Sequence, residues 1–301
     1  MKKKFNQCIL AMLFITISLQ VKAQRSFDGY IKNNSLAISP NETKAVGCYS
    51  DSVKVKVYNL KTGKVIKNIS GFINPRNITF SPDGKIFYIT DSALSLMIAY
   101  NALTLKVVKK YPVGYGAFGS TTNKNRDFIF INNEAASTVT VIDLVSKSVK
   151  KIITGFAQPL QGVKLNPVNI KLYVTNLAND KITEKEVVTL KIDTTISGFN
   201  KLRAIDISKD GNTLFAANSG TNSIGVVNVM TGGIIKEISL GGDPYGTSLS
   251  SDEKIHLSGN KMDNTLSEIN IASLTNIKTI TGFKEPRQAI VFSNRPNRCM
   301  Y

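Results

Sequence analysis

Asn77-Ile78-Thr79-Phe80-Ser81-Pro82-Asp83-Gly84-Lys85-Ile86-Phe87-Tyr88-Ile89-Thr90-Asp91 is the stretch on which the fold turns. Its two ends are short runs rich in β-branched and aromatic residues, and the Ser-Pro-Asp-Gly between them is turn chemistry. Working outward, the same arrangement returns at a fixed interval. Asn59, Asn101, Asp143, Glu186, Asn228 and Asn270 fall 42, 42, 43, 42 and 42 residues apart. Each is followed three residues on by a hydroxyl: Thr62, Thr104, Ser146, Thr189, Thr231 and Ser273. An alternating run precedes each of them, such as Val53-Lys54-Val55-Lys56-Val57-Tyr58, and another follows, such as Lys64-Val65-Ile66-Lys67-Asn68-Ile69-Ser70. An Asn or Asp that opens a turn accepts backbone N–H groups two residues on. The column therefore reads as hairpin geometry, and Asp143 and Glu186 as turn residues rather than proton-transfer groups. Four strands per unit, each joined to the next by a tight turn, is the period of a propeller blade.

The starts of the innermost strands give a blade count. Asn34, Arg76, Phe118, Leu160, Arg203, Tyr245 and Arg287 are spaced 42, 42, 42, 43, 42 and 42 residues apart. The expectation is an all-β, seven-bladed β-propeller of four-stranded antiparallel blades. Its last blade is incomplete after Ile290–Ser293 and Arg298–Tyr301, and is closed by the N-terminal segment through Phe27–Ile31. That closure avoids an open sheet edge. Six blades, with Ile290–Phe292 left over, is the alternative.

Leu172-Tyr173-Val174-Thr175-Asn176 contains a Tyr-Val-Thr-Asn signature outright, and Tyr88-Ile89-Thr90-Asp91, Phe130-Ile131-Asn132-Asn133 and Phe215-Ala216-Ala217-Asn218 are looser copies. With Ser-Pro-Asp-Gly before and Asn-x-x-Thr-Gly-Lys after, the chain resembles the YVTN-repeat β-propellers of the YncE-like or surface-layer type. The first unit departs with Val46-Gly47-Cys48-Tyr49, the sixth with Leu257-Ser258-Gly259-Asn260. The resemblance implies a propeller fold and leaves the job open. Single-stranded nucleic acid binding, lactonase activity and quinoprotein-dehydrogenase-like subunits all occur among similar propellers.

The first residues read differently. Met1-Lys2-Lys3-Lys4 is a positive start, Cys8–Leu19 an apolar run, and Val21-Lys22-Ala23 a set of cleavage positions. This is the pattern of a secretory signal peptide over residues 1–23. The apolar run is shorter than the ~20 residues that a bilayer span needs. The expectation is one propeller domain over 24–301, periplasmic or secreted after cleavage near Ala23, monomeric, with no transmembrane segment in the mature chain. Export permits a disulfide; Cys48 and Cys299 could close one, or be two small buried residues.

Composition narrows the chemistry. The 301 residues hold one His, three Cys and no Trp, which argues against multi-histidine catalysis, c-type haem and multi-cysteine metal sites. No metal or cofactor is expected. His256 occupies the slot of Phe87, Leu172 and Leu214, a core position. Asp83, Asp210 and Asp252 each belong to a Ser-x-Asp turn. The formal charge is +17, and the +13 left after loss of residues 1–23 favours polyanions such as nucleic acid, anionic lipid headgroups or acidic glycans, although the lysines read as scattered through all units.

The column of inner-strand starts is the candidate site. Arg76, Arg203 and Arg287 fall in it, with Tyr245 and Phe118, and arginines flanked by aromatics suit an anionic or planar ligand. A second column, Phe72, Tyr115, Phe156, Phe199 and Phe283, reads as packing between blades. The expected function is a non-enzymatic exported propeller that binds a ligand or partner at the channel rim, anionic in character. The alternatives are a propeller enzyme and a structural cell-envelope module.

Overall fold

The computed structural model describes residues 33–49, 52–125, 127–168, 170–189, 191–291 and 299–300. Six four-stranded antiparallel sheets follow one another along the chain, each a meander in sequence order. Their inner strands are Asn33–Ile38, Pro75–Phe80, Ala117–Thr122, Pro159–Leu165, Leu202–Ile207 and Pro244–Leu249. Neighbouring inner strands pack against one another from blade to blade, so the six sheets stand around a common axis as a β-propeller.

The local reasons are those of the repeat. Asn59 Oδ1 accepts the N–H groups of Lys61 and Thr62 at 2.9 and 3.0 Å, and Asn101 Oδ1 those of Leu103 and Thr104. Asp143 and Glu186 do the same for Val145 and Ser146 and for Val188 and Thr189. The Thr189 hydroxyl, with these N–H groups, holds the Glu186 carboxyl below its ordinary range, and the N–H of Ser146 does most to hold Asp143 below its own. Ser81, Ser208 and Ser250 each donate to the Asp two residues on, at 2.6, 2.5 and 2.7 Å.

Burial runs in a gradient across each blade. The second strands, such as Ile86–Asp91 and Thr213–Asn218, are buried on both faces beyond their first residue. The outer strands, such as Val107–Pro112 and Ser148–Ile153, are almost wholly exposed. The core consequently lies between blades: Val46 and Val57 of the first meet Phe80 and Phe87 of the second, and Phe215 and Ile224 of the fifth meet Ile269 of the sixth. Each such side chain stabilises by ~1.5–3 kcal/mol.

The seven-blade expectation is corrected to six. Counting strand starts misleads at the end of the chain, because a blade requires four hydrogen-bonded strands and not merely a place for one. Beyond the sixth blade, Ile290–Val291 pairs, among the described residues, only with Cys299–Met300 in a two-stranded ribbon. Phe27–Ile31, invoked to complete a seventh blade, lies outside the described residues, as does the segment read as a signal peptide. The ribbon strand Ile290–Val291 lies against the inner strands of the sixth and the first blades. Gln288 Oε1 accepts the N–H of Leu36 at 3.1 Å. This repeats an inter-blade bond used elsewhere: Ser35 Oγ accepts from Ile78 N, and Asn77 Oδ1 from Ser120 N. Among the described residues no helix is long and apolar enough to cross a membrane.

Candidate functional site

All six inner strands begin at one end of the axis, and three begin with proline (Pro75, Pro159, Pro244). A first strand residue needs no ladder donor, so proline is tolerated there and stiffens the entry. The residue before is left-handed at Gln158, Lys201, Asp243 and Glu285, turning the chain sharply inward from the outer strand. The hairpin between the second and third strands of the preceding blade captures two of these: Asp243 N donates to Asn222 Oδ1 at 3.1 Å and Glu285 N to Asn264 Oδ1 at 2.8 Å.

The signature explains itself here. Asn176 is buried; its Oδ1 accepts the N–H of Ala157 at 2.9 Å, and its Nδ2 donates to Thr183 Oγ1 at 2.9 Å. Asp91 and Asn218 likewise accept N–H groups of the incoming connection, from Ile73 and Asn200. In the second, fourth and fifth blades the last residue of the signature ties the entry of the inner strand to its own blade, whereas Asn133 and Asn260 turn their amide nitrogens to hydroxyls of the third strand. That role is structural.

On this frame the five candidate residues form an arc of stacked pairs. The Arg76 guanidinium lies 5.0 Å from the centroid of the Phe118 ring, one unit further on. Arg203 and Arg287 each lie 5.3 Å from the centroid of Tyr245, which stands between them in the column. Phe118 and Tyr245 are buried, while the three arginines are half-buried. Arg76 Nε donates to Ser92 Oγ at 3.2 Å and Arg203 Nε to Ser219 Oγ at 3.3 Å. Asp243 sits among the cations, 3.8 Å from Arg203 and 3.4 Å from Lys261. Between Arg287 and Arg76 in the order of blades comes the first blade, which holds the Cys48 thiol. Burial pushes it up to about 12, and hydrogen bonding with the fields of Arg76 and Arg287 pulls the other way. Cys48 is a buried free thiol. Around the axis the order is Arg203, Tyr245, Arg287, the first blade, Arg76 and Phe118, so the column runs past every blade but the fourth, where Leu160 takes the place. Stacking uses the face of a guanidinium and leaves in-plane N–H donors for an anion.

An axial cavity lies elsewhere. A cavity of about 340 Å³ is lined by Thr79, Ser120, Gln161, Lys164, Thr247 and Gln288, among others from every inner strand. It extends through Ser39, Pro40 and Glu42, at the finishing ends of those strands, and none of the five arc residues lines it. The sequence column locates a rim but cannot say which rim the cavity favours. Lys164 there pairs with Asp206 at 2.9 Å.

Two other expectations resolve at single residues. Phe72 and Phe156 are buried between blades, and Phe199 and Phe283 are partly buried against core clusters, but Tyr115 is 75% exposed. Tyr111 fills the slot of Ile69 and Ile153, so Gly114, not Tyr115, falls in register with Phe72 and Phe156. His256 pairs with Leu249 as Phe87 does with Phe80, is fully buried, and lies 5.3 Å from the Phe215 ring. Neither ring nitrogen has a partner among the described residues, and burial pushes its pKa down to about 4, against Asp206 and with Lys164.

Charge is less evenly spread than the sequence reading had it. The outer strands of the first three blades and the turns leading into them, 60–69, 102–112 and 144–153, carry lysines and not one acidic residue. Lys67, Lys109, Lys110, Lys150 and Lys151 are all exposed there. Counting acids as well as lysines within each outer strand finds this band in the sequence.

The architecture defines a β-propeller. Among solved structures, a chain of hydrazine synthase from Kuenenia stuttgartiensis is similar to it, with a TM-score of 0.80 over 93% of this chain and 94% of that one, at 14% sequence identity. Likeness at that identity is one of fold, and since 1723 solved chains match, no activity comes with it. No protein-family profile matches the chain, and no curated protein does.

Proposed function

We propose that the chain is an exported, monomeric propeller of YVTN-repeat type that binds an anionic ligand or partner at its rim and is not an enzyme. The observation that carries this reading is the arc itself: Arg203 and Arg287 on Tyr245, and Arg76 on Phe118. Arginines fixed by stacking lose little further freedom on binding and present a rigid fork to phosphate, sulfate or carboxylate. The chain without residues 1–23 keeps a net charge of +13, which draws such ligands in from a distance. The recurring Tyr-Val-Thr-Asn signature supports the family reading, and the positive-then-apolar start supports export.

The test is calorimetric titration with a heparin-derived sulfated oligosaccharide and, separately, a single-stranded oligonucleotide. Replacing Arg76, Arg203 and Arg287 together by Ala weakens binding at least about tenfold, because each charge-assisted hydrogen bond contributes ~1.5–3 kcal/mol. Undiminished binding of both probes by the triple variant would remove the rim as the site. The enzymatic reading draws on fold likeness to hydrazine synthase alone.

A further inference from the structure

We propose that the outer flank of the first three blades is a docking surface for an anionic lipid bilayer. Lysines without acids recur on three successive outer strands, Val65–Ile69, Val107–Pro112 and Ser148–Ile153. The last two are neighbours, and Lys109 Nζ donates to the carbonyl of Lys147 at 2.7 Å. The carboxylate at the border of the band, Asp143, is turned inward onto the N–H groups of Val145 and Ser146. The fifth blade is different, since its outer strand sets Lys236 beside Glu237. Like charges gathered without acids repel one another, and an anionic partner relieves that repulsion.

The same flank also exposes aliphatic side chains. Leu103 is 83% exposed and Val145 74%, each at the tip of a turn. The equivalent place holds Val188 and Met230 in the fourth and fifth blades and Lys61 and Ala272 in the first and sixth, so only in the second and third does an exposed apolar tip lead into an outer strand that has lysines and no acid. Val107, Val108 and Ile152 extend the apolar character along the strands. This pairing selects the occupant. A second copy of the chain would set lysine against lysine, and a soluble acidic polymer has no use for protruding Leu and Val. Lipid headgroups answer the lysines, and the acyl boundary answers the aliphatics.

The experiment is flotation with vesicles of phosphatidylcholine containing phosphatidylglycerol, against vesicles of phosphatidylcholine alone. The expected result is flotation with the anionic vesicles only, reversed by high salt. Charge reversal at Lys109, Lys110, Lys150 and Lys151 lowers the bound fraction more than about tenfold. Alanine at the same four positions serves if the reversed chain melts early. Leu103→Ser with Val145→Ser lowers binding about fivefold. The Arg76, Arg203 and Arg287 triple variant floats like the parent, which separates this surface from the rim. Failure of the parent chain to float, full flotation of the lysine variants, undiminished flotation of the Ser variant, or loss in the arginine variant would each overturn the proposal.

Discussion

The inner wall and the outer edge of this propeller use cations in opposite ways. Around the axis they are few, half-buried and fixed: Arg76 on Phe118 and Ser92, Arg203 on Tyr245, Ser219 and Asp243. On the outer strands of the first three blades they are many, exposed and unaccompanied by acids. Position along a four-stranded blade decides between the two. Inner strands touch their neighbours in adjacent blades, so the side chains at their starting ends are set against one another; outer strands touch mostly their own third strand and water. Specific geometry belongs to the wall and bulk charge to the edge.

The sharpest way to break the contrast is a methyl group in the wall. At Gly246 an added Cβ would run into the carbonyl oxygen of Arg287, where the ring closes. We expect Gly246→Ala to destabilise by about 3 kcal/mol or more in chemical denaturation, the cost of overpacking that backbone cannot relieve. A change under about 0.5 kcal/mol would mean that the wall is looser than described.

Next in size is the seal between the fifth and sixth blades. His256 has a folded pKa of about 4 against an ordinary value of 6.5. Above 6.5 the imidazole is neutral in both folded and unfolded chains and costs nothing. As pH falls from 6.5 to about 4 the unfolded chain binds the proton first, and stability drops by about 3 kcal/mol in total. His256→Leu, which places the residue of Leu172 and Leu214 in that slot, should flatten this part of the profile. An acid loss of the same size in the variant would assign it to other groups.

The smallest expected effect lies at the edge. Lys110→Ala and Lys151→Ala should each change stability by under about 0.5 kcal/mol, as exposed substitutions do. A melting shift of several degrees from either would show that the outer lysines hold the fold together.

Much of this was legible in the sequence because the turns are local. An Asn accepting N–H groups two and three residues on, or a Ser donating to an Asp two residues on, needs nothing distant. A period built from such turns also places equivalent residues at one height, which is why Arg76, Arg203, Arg287, Tyr245 and Phe118 were identifiable as a rim. The blade count was misread, because a strand start recurs at Arg287 while the strand that follows, Ile290–Val291, joins a two-stranded ribbon with Cys299–Met300 and not a four-stranded sheet. Nor was the stacking of Arg287 on Tyr245 beside Arg203, which depends on closure of the ring. Tyr115 was misplaced by one residue, since only the packing of Tyr111 shows that Gly114 holds the slot of Phe72. The axial cavity was missed because periodicity cannot distinguish the two ends of a strand.

The rim as the binding site is tested most directly by a crystal structure of the protein with a bound sulfated oligosaccharide. We expect sulfate density against the in-plane nitrogens of Arg203 and Arg287 on either side of Tyr245, reaching toward Arg76. Sulfate held only in the axial cavity beside Lys164, with the arginine arc bare, would contradict it.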